Sequence, residues 1–345
     1  MKKNQICSLF LLALGMFFVI SCSDKTEEKS SSNKMVGVVL NTGGENDKGF
    51  NEYTLKGAKD AALESGLSVT YIASKSDKDY EKNIETLIND GAGLIITVGF
   101  QMGEATAAVA ETHAHTRFVI VDYAYFPGAG CPEKAGNCYS KEGGLQNVTS
   151  LMFAEDEIGY LAGVLSACMT KTNIIASISG VEIPPVIRLV NGFKQGAKSV
   201  KPDIAVKNQF IPSFDDFETG RETGLEFIAE GVDVIFGVGG NTGNGGLMAA
   251  FDKSIMAVGV DVDQYGTYHE VKSVLLTSAM KKTDVAAANA VRSYAAGNLK
   301  PGIAMFALVN KGVGLAPYHD WESKIPDECK EKVETAKKYL ISEYK

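Results

Sequence analysis

The sequence contains no HExxH, no GxSxG and no Cys–His signature of a nucleophilic enzyme. It has only four histidines: His113, His115, His269 and His319. His113 and His115 fall in a helical stretch, where alternate side chains point apart, so they make a weak metal pair. No CxxC and no zinc-type spacing of cysteines occurs. These absences remove the familiar hydrolases, metallopeptidases and zinc modules, so no catalytic activity, cofactor or metal is expected. Tryptophan occurs once, long low-complexity segments are lacking, and no internal apolar run is long enough to span a bilayer. Positive charge is also in deficit, with 34 Lys and Arg against 42 Asp and Glu. A formal net charge of −8 argues against nucleic acid, and against an anionic membrane surface, as electrostatic partner.

What is present begins with Lys2 and Lys3, an apolar run from Leu9 to Ile20, then Ser21 and Cys22. Charge and length fit a secretory signal over residues 1–21, too short and wrongly flanked for a stable spanning helix. The segment Val19-Ile20-Ser21-Cys22 resembles a bacterial lipoprotein box, in which Cys22 is acylated and becomes the first mature residue. The alternative is an uncleaved signal anchor. Residues 23–34, SDKTEEKSSSNK, hold no apolar side chain and read as a flexible tether following Cys22. Loss of Lys2 and Lys3 with the signal would take the net charge to −10. These features place the protein at a cell membrane, lipid-anchored and facing the periplasm or the cell exterior.

About 310 residues follow the tether, more than the ~250–300 at which a single core stops growing, so two lobes are expected. Apolar runs rich in β-branched residues alternate with helical patterns: Val36–Leu40, Ser68–Ala73, Leu94–Val98, Arg117–Asp122, Asn147–Phe153, Asn173–Ser179, Ile204–Phe210, Val232–Val238, Ile255–Asp261 and Ser273–Ser278. Such alternation indicates βαβ units and parallel sheets covered on both faces. The longest irregular connection, Ala124–Gln146, is read as the first crossing between lobes. The first lobe then takes residues 35–124 and about 279–300. The second takes 147–278 and about 301–320, and 326–345 form a closing helix. Within the long connection, GAGCPEKAGNC places Cys131 and Cys138 where a disulfide could close a small loop, or where two free thiols could stand. Cys168, in YLAGVLSAC, reads as buried and inert.

Ligands of doubly wound sheets bind beyond the carboxyl ends of the strands, which directs attention to strand ends. Asn41 opens into TGGENDKGFNE; RFVIVD stops at Asp122; IMAVGVD stops at Asp261; SVLLTSAMK brings in Lys281. A carboxylate ending an apolar strand is costly to bury unless donors meet it. Sugar hydroxyls would supply donors, and Lys281 a donor and a balancing charge. The competing role for Asp122 and Asp261 is capping of the next helix, with Asp263 able to take that task beside Asp261. Phe50 follows a turn and is placed either to stack on a flat ligand or to fill the core. Phe236 and Phe214 are candidates for an opposing ring. The segment GVGGNTGNGG fails the strict GxGxxG, since Thr242 takes the sixth position, and no Gly-Lys-Ser/Thr follows. A dinucleotide site using Asp261 is one reading; the simpler one is close backbone approach and a helix start.

Taken together, the segments GGENDKGFNE, FVIVD, GYLAGVLSA, SGVEIPPVIRLVNGFKQGAK, IFGVGGNTGNG, GVDVDQY and LTSAMKK resemble the basic membrane lipoproteins. That group includes purine nucleoside receptor lipoproteins of bacterial ABC transporters. The resemblance covers the lipobox and nearly all of residues 35–315. It implies an α/β type I periplasmic-binding-protein fold, two Rossmann-like lobes with parallel sheets joined by a hinge, and no catalysis. It also implies a purine nucleoside ligand (inosine, guanosine or adenosine) and an ABC transporter permease as partner. Carried over by position, Phe50 and Phe236 sandwich the base, while Asp122, Asp261 and Lys281 hold the ribose. The family's acidic position on the base edge is Asn41 here, a departure that leaves the preferred base open. The Cys131–Cys138 segment looks like an insertion. Other readings in this class of fold are a sensor presenting a sugar-like ligand and a surface adhesin.

Overall fold

A computed structural model describes residues 34–343; the signal segment and Cys22 lie outside the described residues. In chain order, β1 (Met35–Leu40) leads to α1 (Phe50–Glu64), β2 (Ser68–Ala73) to α2 (Tyr80–Asn89), and β3 (Leu94–Val98) to α3 (Gly103–Thr112). β4 (Arg117–Val121) enters a long connection with two short strands, β5 (Phe126–Pro127) and β6 (Gly130–Cys131). Then come β7 (Val148–Phe153), α4 (Glu155–Met169), β8 (Ile174–Ser179), α5 (Pro184–Val200), β9 (Ala205–Phe210) and α6 (Phe217–Ala229). β10 (Val234–Val238), α7 (Gly240–Asp252), β11 (Met256–Asp261), α8 (Gln264–Thr267), β12 (Leu275–Lys281) and α9 (Thr283–Ala295) follow. The chain ends with β13 (Gly302–Phe306), β14 (Val313–Leu315) and α10 (Asp327–Glu343).

The strands form two six-stranded sheets, β13-β7-β4-β3-β1-β2 and β14-β12-β11-β10-β8-β9, parallel except for β14 on β12. Each sheet belongs to one lobe, the architecture of the type I periplasmic binding fold. The inner strands are buried on both faces, β3 and β10 along their whole length, because helices cover both sides. The motif GYLAGVLSA lies on α4, and NGFKQGAK on α5. These helices touch backbone to backbone: a Cβ on Gly163 would meet Phe193 O at 2.0 Å, and one on Gly196 would meet Tyr160 O at 2.0 Å. Glycine is therefore required at that contact.

Two expectations about the lobes are corrected. The connection 124–146 is not the crossing between them. β7 pairs with β4 in parallel register, Phe118 opposite Val148, so the chain stays in the first sheet until Phe153 and crosses at Ala154. The long connection instead folds back on its own lobe, where Tyr139 Oη accepts from the Tyr125 N–H at 3.0 Å and bonds Ser150 Oγ at 2.7 Å. Second, β13 adds to β7 as the edge of the first sheet, and only β14 returns to the second. Residues 301–306 thus belong to the first lobe. Cys131 and Cys138 are joined, which closes the insertion as a loop. Cys168 is not a lone buried thiol: it is bonded to Cys329, tying α10 to α4. Among the described residues, no helix is long and apolar enough to cross a membrane.

Candidate functional site

The carboxyl ends of the strands in both sheets converge on a cavity between the lobes. Asn41, Phe50, Asp122, Asp261 and Lys281 all line it. Asp122 follows the last residue of β4 and Asp261 ends β11, and both hold left-handed backbone, φ 70° and 65°. Aspartate tolerates that region better than most residues with a Cβ. Both carboxylates are buried. Lys281, the last residue of β12, sends its ammonium to Asp122 Oδ2 at 2.6 Å and to within 3.0 Å of Glu155 Oε1. Glu155 begins α4 and also takes a hydrogen bond from Arg188 Nε at 2.8 Å. The ammonium lies 5.1 Å from the centre of the Phe50 ring and 4.9 Å from that of Phe153. Asp122 comes from one lobe and Lys281 from the other, so this ion pair bridges the sheets.

Burial dominates the electrostatics. It pushes Asp261 up to about 7 against the pull of Lys281, with Asp47 and Asp122 adding repulsion. It raises Asp122 as well, the Lys281 ammonium opposing the shift. Burial also works against the Lys281 charge, but Asp122, Glu155 and Asp261 outweigh it and hold the ammonium above the ordinary lysine value. Lys281 therefore stays charged at neutral pH. Asp261 has no hydrogen-bond partner among the described residues, and one oxygen of Asp122 is likewise buried and unsatisfied. Such groups call for donors from a ligand.

The turn GGENDKG closes one end of the cavity. The Asp47 carboxylate accepts from the N–H groups of Gly49, Asn51 and Glu52 and so starts α1. Its burial raises it to about 6. The turn's carbonyls reach the other lobe: Asp47 O accepts from Asn244 Nδ2 at 3.2 Å, and Lys48 O from Thr267 Oγ1 at 2.9 Å. The lobes are therefore closed on each other.

Phe50 lines the first-lobe wall and Phe214 the second-lobe wall. Phe236 is corrected: its ring is fully buried, packs on Phe193 of α5 at 5.1 Å between centres, and does not line the cavity. It points to the helix-covered face of β10 two residues before the strand ends, and Val238 takes the cavity position on that face. The Gly-rich segment begins α7, and a Cβ on Gly240 would lie 2.6 Å from Phe214 O. Its small residues thus admit the Phe214 segment to the cleft. The capping alternative fails for Asp261: Asp263 and not Asp261 stands at the start of α8, no side chain caps that helix, and the Asp263 carboxylate accepts from His319 Nε2 at 2.8 Å.

Sequence reasoning missed Asp47, Asn51, Phe100 and the Glu155–Arg188 pair. Asn51 adjoins Phe50 in the motif and Glu155 begins α4 two residues after β7 ends, but neither residue type nor spacing marks Asn51 as lining the cavity or Glu155 as a partner of Lys281. Phe100 lines the cavity and packs on Tyr123 at 4.9 Å, which in turn packs on Tyr125 of the connection 124–146 at 4.9 Å. Among the described residues, no cluster of three or more His, Cys, Asp or Glu could hold a metal ion.

Comparison with known proteins agrees with this layout. The family described as ABC transporter substrate-binding protein PnrA-like matches residues 34–344. The chain is 30% identical over 338 residues to the ABC transporter nucleoside-binding protein BmpA of Lactococcus lactis, covering 91% of each chain. It is 28% identical over 317 residues to basic membrane protein D of Borreliella burgdorferi, covering 91% of this chain and 86% of that one. Among solved structures, an ABC transporter solute-binding protein of Aeropyrum pernix superposes with a TM-score of 0.78 at 22% identity. That alignment covers 89% of this chain and 91% of the other.

Proposed function

Because this chain belongs to the Bmp family of PnrA-like ABC transporter substrate-binding proteins, a family of binding proteins and not of enzymes, we propose that its cleft captures a purine nucleoside for a transporter permease. The observation that carries this reading is the set Asp122, Asp261 and Lys281, buried together at the carboxyl ends of three strands. Vicinal ribose hydroxyls would donate to the two carboxylates and accept from the ammonium. The rings of Phe50 and Phe214, on opposite walls, suit the faces of a flat base. The name of the Lactococcus lactis relative supports the same ligand class.

Calorimetric titration tests it. Nucleosides should bind well, and free bases and free pentoses poorly, since both halves of the ligand make contacts. Tight binding of a simple hexose with no nucleoside response would sink the proposal.

Anchoring through an acylated Cys22 is part of the same reading, supported by the lipobox and its apolar leader. Cys22→Ala should move the protein from the membrane fraction to the soluble fraction and abolish fatty-acid labelling. Unchanged labelling would remove the anchor.

A further inference from the structure

The loop after β3 forms part of the cavity wall and is held from behind. Gly99, Phe100 and Gln101 line the cavity, and the loop ends at Gly103, the first residue of α3. Two rings grip Gly103. Tyr123 packs against its Cα, where a Cβ would come within 2.4 Å of the ring, and Tyr125 Oη donates to its carbonyl oxygen at 2.8 Å. Tyr123 also touches Phe100, as described above. Tyr125 is 2% exposed and is fixed in turn by Gly130 and Tyr139. A Cβ on Gly130 would lie 2.5 Å from the Tyr125 ring, and the Tyr125 N–H donates to Tyr139 Oη. Gly130 precedes Cys131 and Tyr139 follows Cys138. The disulfide between these cysteines therefore ties together the two residues that hold Tyr125.

Parallel neighbours such as β4 and β7 are usually joined through a helix that covers the sheet. Here the connection 124–146 does the covering, with Cys138, Tyr139 and Leu145 buried beside Met102 and Phe118. Covering needs apolar bulk. It needs neither a hydroxyl aimed at Gly103 O nor a covalent clasp around Tyr125. Resting on the nucleoside reading above, we propose that the Cys131–Cys138 clasp, through Tyr125 and Tyr123, positions Phe100 as a third aromatic contact for the ligand and so sets the affinity of the cleft. A ring already fixed on the wall loses little freedom when a ligand meets it. Without the clasp the loop 99–103 regains motion, and each binding event must order it again.

Two measurements test it. The first uses no ligand: amide hydrogen exchange at residues 99–103 in the double variant Cys131→Ala, Cys138→Ala should quicken by about tenfold or more, with β10 and α7 of the other lobe unchanged. The second is calorimetric titration with inosine, guanosine and adenosine. Phe100→Ala should weaken the nucleoside that binds by about tenfold, and the double cysteine variant by about three- to tenfold. Since the clasp acts through Phe100, removing it from Phe100→Ala should cost less than about twofold more. Tyr125→Phe keeps the ring and loses only the bond to Gly103 O, so it serves if the cysteine variant fails to fold. It should quicken the same amides and weaken binding by about threefold. A lower melting temperature with exchange at 99–103 and affinity both unchanged would reduce the connection to a cover for the sheet and overturn the clasp. Losses from the clasp and from Phe100 that simply add would also overturn it, and either result leaves the nucleoside reading standing. No response of the unaltered protein to any of the three nucleosides overturns that reading and the ligand contact of Phe100, while the exchange rates alone decide whether the clasp holds the loop.

Discussion

Asp261 combines three properties that a structural aspartate would not need together: left-handed backbone, burial, and no hydrogen-bond partner among the described residues. The start of α8 is taken by Asp263, so Asp261 does no capping. Asp261→Asn keeps the shape and the tolerance for positive φ while removing the charge. A charged hydrogen bond exceeds a neutral one by about 1–1.5 kcal/mol, so nucleoside affinity should fall about tenfold. The melting temperature of the ligand-free protein should hold or rise, because a desolvated carboxylate has been removed. A lower melting temperature with unchanged affinity would take Asp261 out of the site. Asp122, Asp261 and Lys281 were legible in the sequence because a charge ending an apolar strand is anomalous without a partner. Phe236 was misread because alternation along a strand gives the side a residue faces and not its depth. Its ring lies two residues, or about 6.6 Å, short of the end of β10. Asn51 and Glu155 gave no signal, since their roles depend on neighbours brought in from other elements.

At the scale of elements, the alternation of apolar strands and helices was readable, and the observed strands agree with it within a few residues at their ends. Membership of lobes was not, because length and irregularity of a connection do not reveal which strand its far end will pair with. β13 illustrates the same limit: its segment GIAMF is apolar, yet it is an edge strand with Ile303 and Met305 exposed, and an apolar run does not tell which sheet it will join. α10 depends on a covalent contact. The Cys168–Cys329 bond spans 161 residues and fixes α10 to the carboxyl end of α4. Closing a loop of that size restricts the unfolded chain, and its loss typically costs about 2–5 kcal/mol. Replacing both cysteines by Ala should therefore lower the melting temperature by several degrees in a scanning calorimeter. Glu155, at the cleft, and Cys168 are at opposite ends of α4, about 20 Å apart along the helix. Nucleoside affinity should accordingly stay unchanged at temperatures where the variant is folded. An affinity loss of more than about tenfold would show that α10 supports the cleft itself.

At the scale of the whole molecule, closing the lobes gathers Asp122, Glu155 and Asp261 around Lys281, with Arg188 on Glu155 and Asp47 near enough to Asp261 to repel it. The acids outnumber the bases, and removal from water is the largest influence on Asp47, Asp122 and Asp261. Asp47 and Asp122 rise to about 6 and Asp261 to about 7, from an ordinary value of 3.8. Over the window between, the closed ligand-free protein holds more protons than the unfolded chain. Its stability from these groups is greatest below about 4 and is lost as pH rises through 6 to 7. A ligand whose hydroxyls donate to the ionised carboxylates reverses the balance, since such bonds lower a carboxylate's pKa. Binding near pH 7 should then expel a proton, chiefly from Asp261. Affinity should rise as pH increases from about 6 to 7 and level off above that, when the carboxylate is already charged. Titration at pH 7 in phosphate and in Tris measures the proton directly, because the two buffers differ in ionisation enthalpy. Equal apparent enthalpies in both, with affinity flat from pH 5.5 to 8, would mean that Asp261 is not where the ligand's hydroxyls are received.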